Sequence, residues 1–318
     1  MAGKPYTFLT AIRNEEKTIE SFLIEFHQVL ANQALLGESL LIIVDDYSLD
    51  SSAEIIKNWH AQNEGLDVKI LTLATNLGNQ GALGYALGRC DFTDSQLLIT
   101  LDSDGEDDLE KIPEMIELWK SDPNNVIFSE RGRRYDSSVV PFLYYMFRCV
   151  MIWMMGQKIL PNNFMALPAK YIDAVKRSPF VPVYYGLAVM RLRFPYISKV
   201  YDRRIRYGGK SSQNIFNLIT HGFVGLLVFH ETVIARIFSL LLMSIGFFSF
   251  TSLFALFVKF VKEKALPGWT ALFFTVNFGF ILFIMAMLAI MASCAMFFKL
   301  SGYHLSEMDD DVPGPKKL

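Results

Sequence analysis

The sequence has few cysteines and no large excess of charge of either sign. Its three cysteines, Cys90, Cys149 and Cys294, are far apart in the chain and provide neither a disulfide framework nor the paired spacing of a zinc site. This usage is typical of a reducing compartment. The net charge is only −2 at pH 7, so the composition gives no indication of nucleic-acid binding. We therefore expect no nucleic acid among the partners.

The first residues, MAGKPYTFL, lack the long apolar core of a signal peptide, so we expect the N-terminal part to remain where it is made. Hydrophobic residues, in contrast, are abundant. They make up 52% of the 318 residues, 27 of which are Phe, and the mean hydropathy is +0.29. This is too apolar for one ordinary soluble domain. The composition therefore predicts a membrane part.

Strand and helix patterns alternate in the first two-fifths of the chain. Five apolar runs are predicted as strands, namely Tyr6–Ala11, Leu40–Val44, Val68–Leu73, Leu97–Leu101 and Val126–Ser129. A helical spacing of apolar residues starts at Ile19, and Ser51 with Glu54 predicts a capping box for the next helix. Repeated βα units of this length predict an α/β fold with a parallel, doubly wound sheet.

Acidic residues are crowded directly after the fourth predicted strand. Asp102 and Asp104 come first, and Gly105 leads to Glu106, Asp107 and Asp108. Such a loop usually binds a divalent cation, because like charges repel unless a metal or protons neutralise them. The alternative is a solvated loop that caps the next helix. The position after an apolar strand favours the metal, since α/β sheets bind ligands outside the carboxyl ends of their strands.

Polar residues also follow the other strands, and the sheet would bring them to the same edge. They are Asn14 and Glu15 after the first strand, Asp46 after the second, and Asn76 and Gly78 after the third. Together with the acidic loop they predict a nucleotide site, in which Asp46 accepts hydrogen bonds from a base or ribose and a metal at Asp104 bridges a diphosphate. Each residue has a structural alternative, such as a helix cap for Asp46 or a turn for Gly78.

Several motifs carry a family resemblance. VDDYSLD, NLGNQGA and LDSDGEDD, which begin at Val44, Asn76 and Leu101, resemble the nucleotide-sugar half of the inverting family 2 glycosyltransferases with a GT-A fold. Within this family the chain is similar to the polyprenyl-phosphate glycosyltransferases, such as dolichyl-phosphate mannose synthase and the bactoprenol glucosyltransferases. SERGRRYD at Ser129, RRIRYGGKSS at Arg203 and PGW at Pro267 extend the similarity to nearly the whole chain.

The resemblance implies a Rossmann-like GT-A catalytic domain and roles for individual residues. Those implied to bind the nucleotide sugar are Ala11, Arg13, Asn14, Glu15, Asp46, Asn76, Gly78 and Asp102. Asp104 and Glu106 would bind Mg²⁺ or Mn²⁺. The positions implied for the acceptor phosphate are Arg131, Arg203, Arg206 and Ser211, and the residues implied in catalysis are Asp102, Asp104 and Arg131.

The chain departs from the family pattern at several of these positions. Ala11 and Arg13 replace the usual Pro and Tyr, and Ser212 with Gln213 replaces a Lys-Tyr pair. PNNF at Pro161 stands where relatives place an Asp and a Gly before the Phe. The arginines near Arg203 also have an alternative role, as a juxtamembrane cluster held by anionic lipid headgroups.

The C-terminal third contains two long apolar stretches. Ile237–Val258 carries no charge and would extend about 33 Å as a helix, close to the hydrocarbon thickness of a bilayer. Trp269–Phe298 is longer. The predicted domains are a GT-A domain at 1–212, interfacial amphipathic helices at 213–236, a transmembrane hairpin at 237–300 with helices at about 237–258 and 270–296, and a cytoplasmic tail at 301–318. The distribution of cations predicts that both termini are cytoplasmic.

The predicted function is inverting transfer of one sugar from a UDP-sugar to polyprenyl (undecaprenyl) phosphate by a multi-pass enzyme of the inner (plasma) membrane. The bactoprenol branch of the resemblance implies glucose. The alternatives are a GDP-mannose-using polyprenyl-phosphate mannosyltransferase, a processive polysaccharide synthase, and a non-catalytic membrane scaffold with a degenerate nucleotide-binding domain. A missing QxxRW motif disfavours the synthase, and intact Asp102 and Asp104 disfavour the scaffold. The sequence is compatible with a homo-oligomer.

Overall fold

The computed structural model describes residues 4–131, 141–156, 163–202, 204, 206–208, 223–262 and 268–307. Arg203 and Ser211 lie outside the described residues, and so do residues 308–318 of the predicted tail. The described residues fall into two compact units that divide after Val228. The first unit contains the strands, and the second contains two long helices and the short segment Trp153–Gly156.

The described part of the first unit contains seven strands, which are β1 (Tyr6–Ile12), β2 (Ser39–Asp45), β3 (Asp67–Thr72), β4 (Leu97–Thr100), β5 (Val126–Arg131), β6 (Met165–Pro168) and β7 (Tyr196–Tyr201). They form one sheet in the order β3-β2-β1-β4-β6-β5-β7. β1 pairs in parallel with β2 and β4, and β2 pairs in parallel with β3. The predicted parallel arrangement is therefore confirmed for the first four strands.

The other half of the sheet is mixed, so the prediction of an all-parallel sheet is wrong there. β6 inserts between β4 and β5 and runs antiparallel to both, whereas β5 and β7 are parallel. β6 consists of only four buried residues, MALP. A run this short carries no periodic signal that would reveal a strand, and the sequence analysis did not predict it.

The helices of the first unit include α1 (Ile19–Asn32), α2 (Ser52–Gln62), α3 (Gly78–Arg89), α4 (Ile112–Ser121), α5 (Pro141–Met155), α6 (Ile172–Lys176) and α7 (Tyr185–Arg191). The predicted spacing of α1 is confirmed, because Ile19, Phe22, Phe26 and Leu30 are all buried. The Phe26 ring packs edge-to-face on Phe8 of β1, with the ring centroids 4.9 Å apart. This packing holds α1 against β1.

The second unit is built from the two long helices, His230–Lys262 and Trp269–Glu307. The segments His230–Phe260 and Ala271–Ile290 are long and apolar enough to cross a membrane. Many of their large apolar side chains are exposed, for example 66% of Phe250. Such exposure in water is unfavourable, and it is expected of a surface that faces lipid. The two helices can therefore form a transmembrane hairpin.

Aromatic and polar contacts join these two helices. The rings of Phe248 and Phe280 stack with their centroids 5.0 Å apart. The amide of Asn277, which is only 5% exposed, donates a hydrogen bond to the Ser252 hydroxyl at 3.0 Å and contacts the Thr251 hydroxyl at 3.5 Å. A polar side chain between two apolar helices fixes which residues face each other.

Candidate active site

The carboxyl ends of β1, β2 and β3 meet at one edge of the sheet. The Asp46 N–H donates to the Ile12 carbonyl at 2.9 Å, directly after these two strands end. The Asp46 carboxylate is 2% exposed and accepts a hydrogen bond from the Leu77 N–H at 2.6 Å, in the turn before α3. Asp46 therefore connects the end of β2 to the turn after β3, and this hydrogen bond holds the Asp46 side chain in place.

Asn76 lies in the turn that leads into α3, and Gly78 is the first residue of that helix. The Gly78 N–H donates to the Asn76 side-chain oxygen at 3.0 Å. Gly78 has a φ of +75°, which lies in the left-handed region that glycine adopts without strain. Both residues thus shape a turn beside the Asp46 carboxylate. Asn76 and Gly78 can shape this turn and also bind a nucleotide, because the turn lies at the sheet edge where the nucleotide site is predicted.

The loop after β1 is locked to the loop after β2. The Asn14 N–H donates to Ser48 Oγ at 3.0 Å, and the Leu49 N–H donates back to Asn14 Oδ1 at 2.8 Å. Ala11 lies near the end of β1, and Arg13 is exposed just after it. The first two strand ends are therefore one connected surface.

Glu15 turns its carboxylate towards α1, where it accepts a hydrogen bond from the Thr18 hydroxyl. Its N–H donates to Ser52 Oγ at 2.8 Å. This geometry corresponds to the structural alternative for Glu15, a carboxylate at a helix start.

Asp50, rather than the predicted capping box, organises the start of α2. Ser51 makes no capping hydrogen bond with its side chain, so the prediction for Ser51 and Glu54 is wrong. Asp50 instead accepts hydrogen bonds from the Ser52 N–H at 3.1 Å and from the Glu16 N–H at 3.0 Å. Burial opposes the charge of this carboxylate, but the hydrogen bonds outweigh burial and lower the pKa of Asp50.

The acidic loop after β4 is folded around its own backbone. Asp107 accepts a hydrogen bond from the Asp102 N–H at 2.8 Å, and Asp104 accepts one from the Glu106 N–H at 2.9 Å. Asp108 accepts from the Glu110 N–H at 3.3 Å at the start of the following helical turn. Capping, the alternative explanation for the loop, thus applies to Asp108. Asp102, Asp104 and Glu106 have other partners.

Arg206 bridges two of these acids. Its Nη2 lies 3.1 Å from Asp104 Oδ2, and its Nε donates to Glu106 Oε1 at 2.8 Å. Burial raises the pKa of Asp104, and the nearby Asp102 carboxylate raises it further, while the Glu106 N–H and the Arg206 guanidinium act in the opposite direction. Arg206, predicted to bind the acceptor phosphate, is therefore the counterion of both predicted metal ligands in this structure.

The backbone around Arg206 is hydrogen-bonded to the acidic loop. The Arg204 N–H donates to the Glu106 carbonyl and the Tyr207 N–H donates to the Asp104 carbonyl, both at 3.1 Å. Glu25 of α1 anchors this segment, since it accepts hydrogen bonds from the Arg204 guanidinium and, at 2.6 Å, from the Tyr207 hydroxyl. The predicted acceptor segment and the predicted donor loop are thus in direct contact.

Asp104 and Glu106 suit a hard divalent cation. Both carboxylates already face one cationic group, Arg206, and carboxylate oxygens are the preferred ligands of Mg²⁺ and Mn²⁺. Among the described residues, no three His, Cys, Asp or Glu side chains form a complete ligand set. This pair therefore suits the usual coordination of Mg²⁺, which is bound by one or two protein carboxylates together with water and substrate phosphates.

A chain of side-chain amides leads to Asp102. The Asn163 amide nitrogen donates to Asp102 Oδ1 at 3.1 Å, and the exposed Asn79 donates to the same oxygen at 3.3 Å. Gln80 donates to Asn163 Oδ1 at 3.1 Å and accepts from the Tyr185 N–H at 2.7 Å. These residues connect α3, β4, β6 and α7 at a single carboxylate.

The sequence of the chain is similar to that of a known protein family. The model of the family described as "Glycosyl transferase family 2" matches residues 7–191, more than half of the chain. The chain belongs to glycosyltransferase family 2. It is thus an enzyme, and its family is the one that the motifs at the strand ends resemble.

Relatives of this family 2 glycosyltransferase differ in how much of the chain they match. An uncharacterized glycosyltransferase of Synechocystis is 26% identical over 222 residues, 68% of this chain and 66% of the relative, so the chain spans about two thirds of that protein. Bacillus subtilis YkoT, an uncharacterized glycosyltransferase, is 24% identical over 86% of this chain and 81% of its own. An undecaprenyl-phosphate 4-deoxy-4-formamido-L-arabinose transferase of Photorhabdus laumondii is 32% identical over 42% of this chain and 39% of its own.

A solved structure shares the fold of this glycosyltransferase. Glucosyl-3-phosphoglycerate synthase from Mycobacterium tuberculosis, in complex with Mn²⁺, uridine-diphosphate and glucosyl-3-phosphoglycerate, has a TM-score of 0.51 and 14% sequence identity. The match covers 73% of this chain and 81% of that chain. At this identity the likeness shows the fold, a mixed-sheet GT-A domain.

Sequence reasoning found some residues of the site and missed others. It did not predict Glu25, Asn79, Gln80 or Asn163 as functional residues. Gln80 lies in the NLGNQGA motif and Asn163 in the PNNF departure, but neither motif indicates a role for these side chains. Arg131 is the last residue of β5 and pairs with Tyr201 of β7. Arg203 and Ser211 lie outside the described residues.

Proposed function

We propose that this family 2 glycosyltransferase transfers a single sugar, with inversion, from a UDP-sugar to a polyprenyl phosphate such as undecaprenyl phosphate. The observation that carries this proposal is the contact between the acidic loop and the basic segment at Arg204–Gly208. Two backbone hydrogen bonds, to the carbonyls of Asp104 and Glu106, join them. A site with carboxylates for a metal diphosphate on one side and guanidinium groups on the other suits two phosphate-bearing substrates.

The donor half is assigned to the sheet edge. Asp46 and the neighbouring Asn14, Asn76 and Gly78 turns would hold the base and ribose, together with Ala11, Arg13 and Glu15. Asp102 would face the sugar. Asp104 and Glu106 would hold Mg²⁺ or Mn²⁺, which when bound would neutralise charge on the departing diphosphate. The solved GT-A relative, which binds Mn²⁺ and uridine-diphosphate, supports this donor class, and glucose is the sugar that we propose.

The acceptor half is assigned to Arg131, Arg203, Arg206 and Ser211. Relatives named undecaprenyl-phosphate 4-deoxy-4-formamido-L-arabinose transferases support a polyprenyl phosphate as acceptor. Arg206 has to leave Asp104 and Glu106 before these carboxylates can bind a cation. Its guanidinium is then available to the acceptor phosphate, with which it can form two parallel hydrogen bonds.

The chemistry needs no strong general base. A phosphate monoester carries most of its second negative charge near neutral pH, because its second pKa is about 6. One of its oxygens forms a bond to the anomeric carbon while the bond from that carbon to the nucleoside diphosphate breaks. The diphosphate leaves with the electron pair, and attack from the opposite face inverts the anomeric centre. The residues of the site therefore act by alignment and charge neutralisation.

The two apolar helices have a role in this proposal. They would span the plasma membrane as a hairpin with both termini on the cytoplasmic side. The residues from 213 up to the start of the first long helix at His230 would lie along the membrane surface. A polyprenyl phosphate keeps its headgroup at that surface while its chain lies in the hydrocarbon. Anchoring would therefore keep the catalytic domain at the depth of the acceptor phosphate.

The proposal is tested with the purified full chain in liposomes that contain undecaprenyl phosphate. The liposomes are incubated with Mg²⁺ or Mn²⁺ and a panel of radiolabelled UDP- and GDP-sugars, followed by organic extraction. We expect label from a UDP-sugar in the organic phase. Asp104→Asn should abolish this signal, whereas Glu117→Gln, an exposed change on α4, should preserve it. Binding of a nucleotide sugar without any lipid product would refute the assigned acceptor.

A further inference from the structure

We propose that Gln80 and Asn163 are positioning residues that fix the carboxylate of Asp102 for the donor sugar. The inference rests on the proposed function, in which Asp102 faces that sugar. It adds two residues that neither the motifs nor the strand-end pattern assigned to the site. Its basis is a relay of hydrogen bonds whose direction is determined at one end.

The direction starts at a backbone N–H. The Tyr185 N–H can only donate, so the Gln80 atom 2.7 Å away must be its side-chain oxygen. The Gln80 nitrogen then faces Asn163 at 3.1 Å, where it needs an acceptor, and this orients Oδ1 of Asn163 towards Gln80. The remaining group of Asn163, its NH₂, is left to donate to Asp102 Oδ1 at 3.1 Å. Each amide orientation thus follows from the previous one.

Asn163 is held in place on its other sides. The side chain is buried, with only 7% of the residue exposed. The Thr100 hydroxyl at the end of β4 donates to the Asn163 carbonyl, and the next carbonyl, that of Phe164, accepts from the Ser129 N–H at 3.2 Å. A buried amide without partners is costly, so this frame leaves Asn163 few alternatives to its observed orientation.

Both amide donors act on the same oxygen of Asp102. Asn163 and Asn79 reach Oδ1, and within the described part of the chain no hydrogen bond reaches Oδ2. Hydrogen bonds from N–H groups stabilise the charged form of a carboxylate and fix its rotamer. Oδ2 is therefore presented, in a fixed orientation, as an acceptor for a hydroxyl of the donor sugar. Such pre-orientation is what a precise site requires of its supporting residues.

Gln80→Glu tests the direction of the relay. The Glu carboxylate can still accept from the Tyr185 N–H, but when ionised it cannot donate to Asn163. Asn163 then loses the partner that orients it towards Asp102. A protonated Glu can donate again, so lowering the pH restores the relay. Gln80→Met is the matched variant, because it removes both hydrogen bonds at every pH without adding charge.

The measured quantity is the ratio of two dissociation constants, that of UDP to that of UDP-glucose, by calorimetry with Mn²⁺ present. The ratio of each variant is divided by the wild-type ratio at the same pH, because UDP has a terminal phosphate that titrates at about pH 6 and UDP-glucose does not. For Gln80→Glu we expect this relative ratio to fall about tenfold near pH 8, as loss of a hydrogen bond to a charged group predicts, and to recover as the pH falls towards 5. For Gln80→Met we expect the same loss without recovery.

Three outcomes would overturn the inference. The first is a wild-type ratio in Gln80→Glu at all pH values. The second is an equal loss in both variants without recovery on acidification, which would indicate a general distortion of α3. The third is a wild-type protein that does not bind UDP-glucose with Mn²⁺ present, in which case the proposed donor fails and the inference fails with it. Wild-type binding of UDP-glucose with an unchanged Gln80→Glu ratio would leave the proposed function intact.

Discussion

Replacement of Arg206 should tighten the binding of a divalent cation. Its guanidinium contacts Asp104 at 3.1 Å and Glu106 at 2.8 Å, so a cation must compete with it for both carboxylates. Arg206→Gln removes this competition and also removes a positive charge that repels the metal. Both effects have the same sign. We therefore expect higher metal affinity from a substitution that is expected to impair use of the lipid phosphate.

The magnitude follows from the geometry and exposure of the contacts. Hydrogen bonds between charged groups contribute about 1.5–3 kcal/mol when buried, whereas exposed ion pairs contribute about 0.2–1 kcal/mol. The side chain of Arg206 is 30% exposed, and those of Asp104 and Glu106 are 22% and 15% exposed. We take about 1–2 kcal/mol for the pair of contacts, between these limits. This corresponds to about 5- to 30-fold tighter binding of Mn²⁺.

The assay is a titration of the nucleotide-free protein with Mn²⁺, followed by electron paramagnetic resonance of the free ion. It does not depend on turnover. Arg204→Gln is the matched control, because the Arg204 guanidinium contacts Glu25 and lies 3.8 Å from Asp108. The link of Arg204 to the acidic loop is a backbone hydrogen bond to the Glu106 carbonyl, which the substitution leaves in place. Unchanged or weaker Mn²⁺ binding by Arg206→Gln would refute the reasoning. An equal gain in Arg204→Gln would attribute the effect to net charge alone.

Three further outcomes are expected. Burial and the Asp102 carboxylate raise the pKa of Asp104, and metal binding needs the ionised form of this side chain. Mn²⁺ affinity should therefore fall on acidification at a higher pH than for an ordinary aspartate. In titrations across a pH series, Asp102→Asn should move this fall to lower pH. Asp104→Ala should abolish metal-dependent transfer in the lipid extraction assay, and full turnover with Mg²⁺ or Mn²⁺ would contradict the metal assignment. Gly105→Ala should lower the free energy of unfolding by at least about 1–2 kcal/mol in denaturation experiments, since φ is +86° and a Cβ would lie 2.7 Å from the Tyr207 ring. In Gly88→Ala the added Cβ meets no atom within 4 Å, so this control variant should not lower the free energy of unfolding.

Much of the sheet was predictable because its strands and α1 carry strong local signals. β1, β2 and β4 are near-continuous apolar runs, and the buried positions of α1 recur at helical spacing. β6 was not predictable in this way, since four residues are too few to define a period. In the structure β6 separates β5 from β4.

The candidate site shows the same limit at the level of side chains. Asp46, Asp102 and Asp104 were predicted because a strand end is a place that a sequence can identify. The relay was not, because Gln80 and Asn163 are 83 residues apart and become neighbours only when β6 is placed beside β4. The capping box failed for a local reason, since Asp50 rather than Ser51 accepts a hydrogen bond from a backbone N–H at the start of α2, that of Ser52.

The Asn277 amide bears on how the two apolar helices would enter a bilayer. In hydrocarbon an amide without partners costs several kcal/mol, and its hydroxyl partners, Ser252 and Thr251, are on the other helix. The hydroxyls of the first helix depend less on a partner helix, because a Ser or Thr hydroxyl can donate to a carbonyl one turn earlier in its own helix. The Thr251 hydroxyl donates to the Phe248 carbonyl in this way at 2.9 Å. The first helix, whose hydroxyls can be hydrogen-bonded within the helix, is synthesised first. The second helix, whose Asn277 needs partners, emerges when those partners are already present. The order of synthesis therefore matches the order in which the pair can be inserted without an unsatisfied amide.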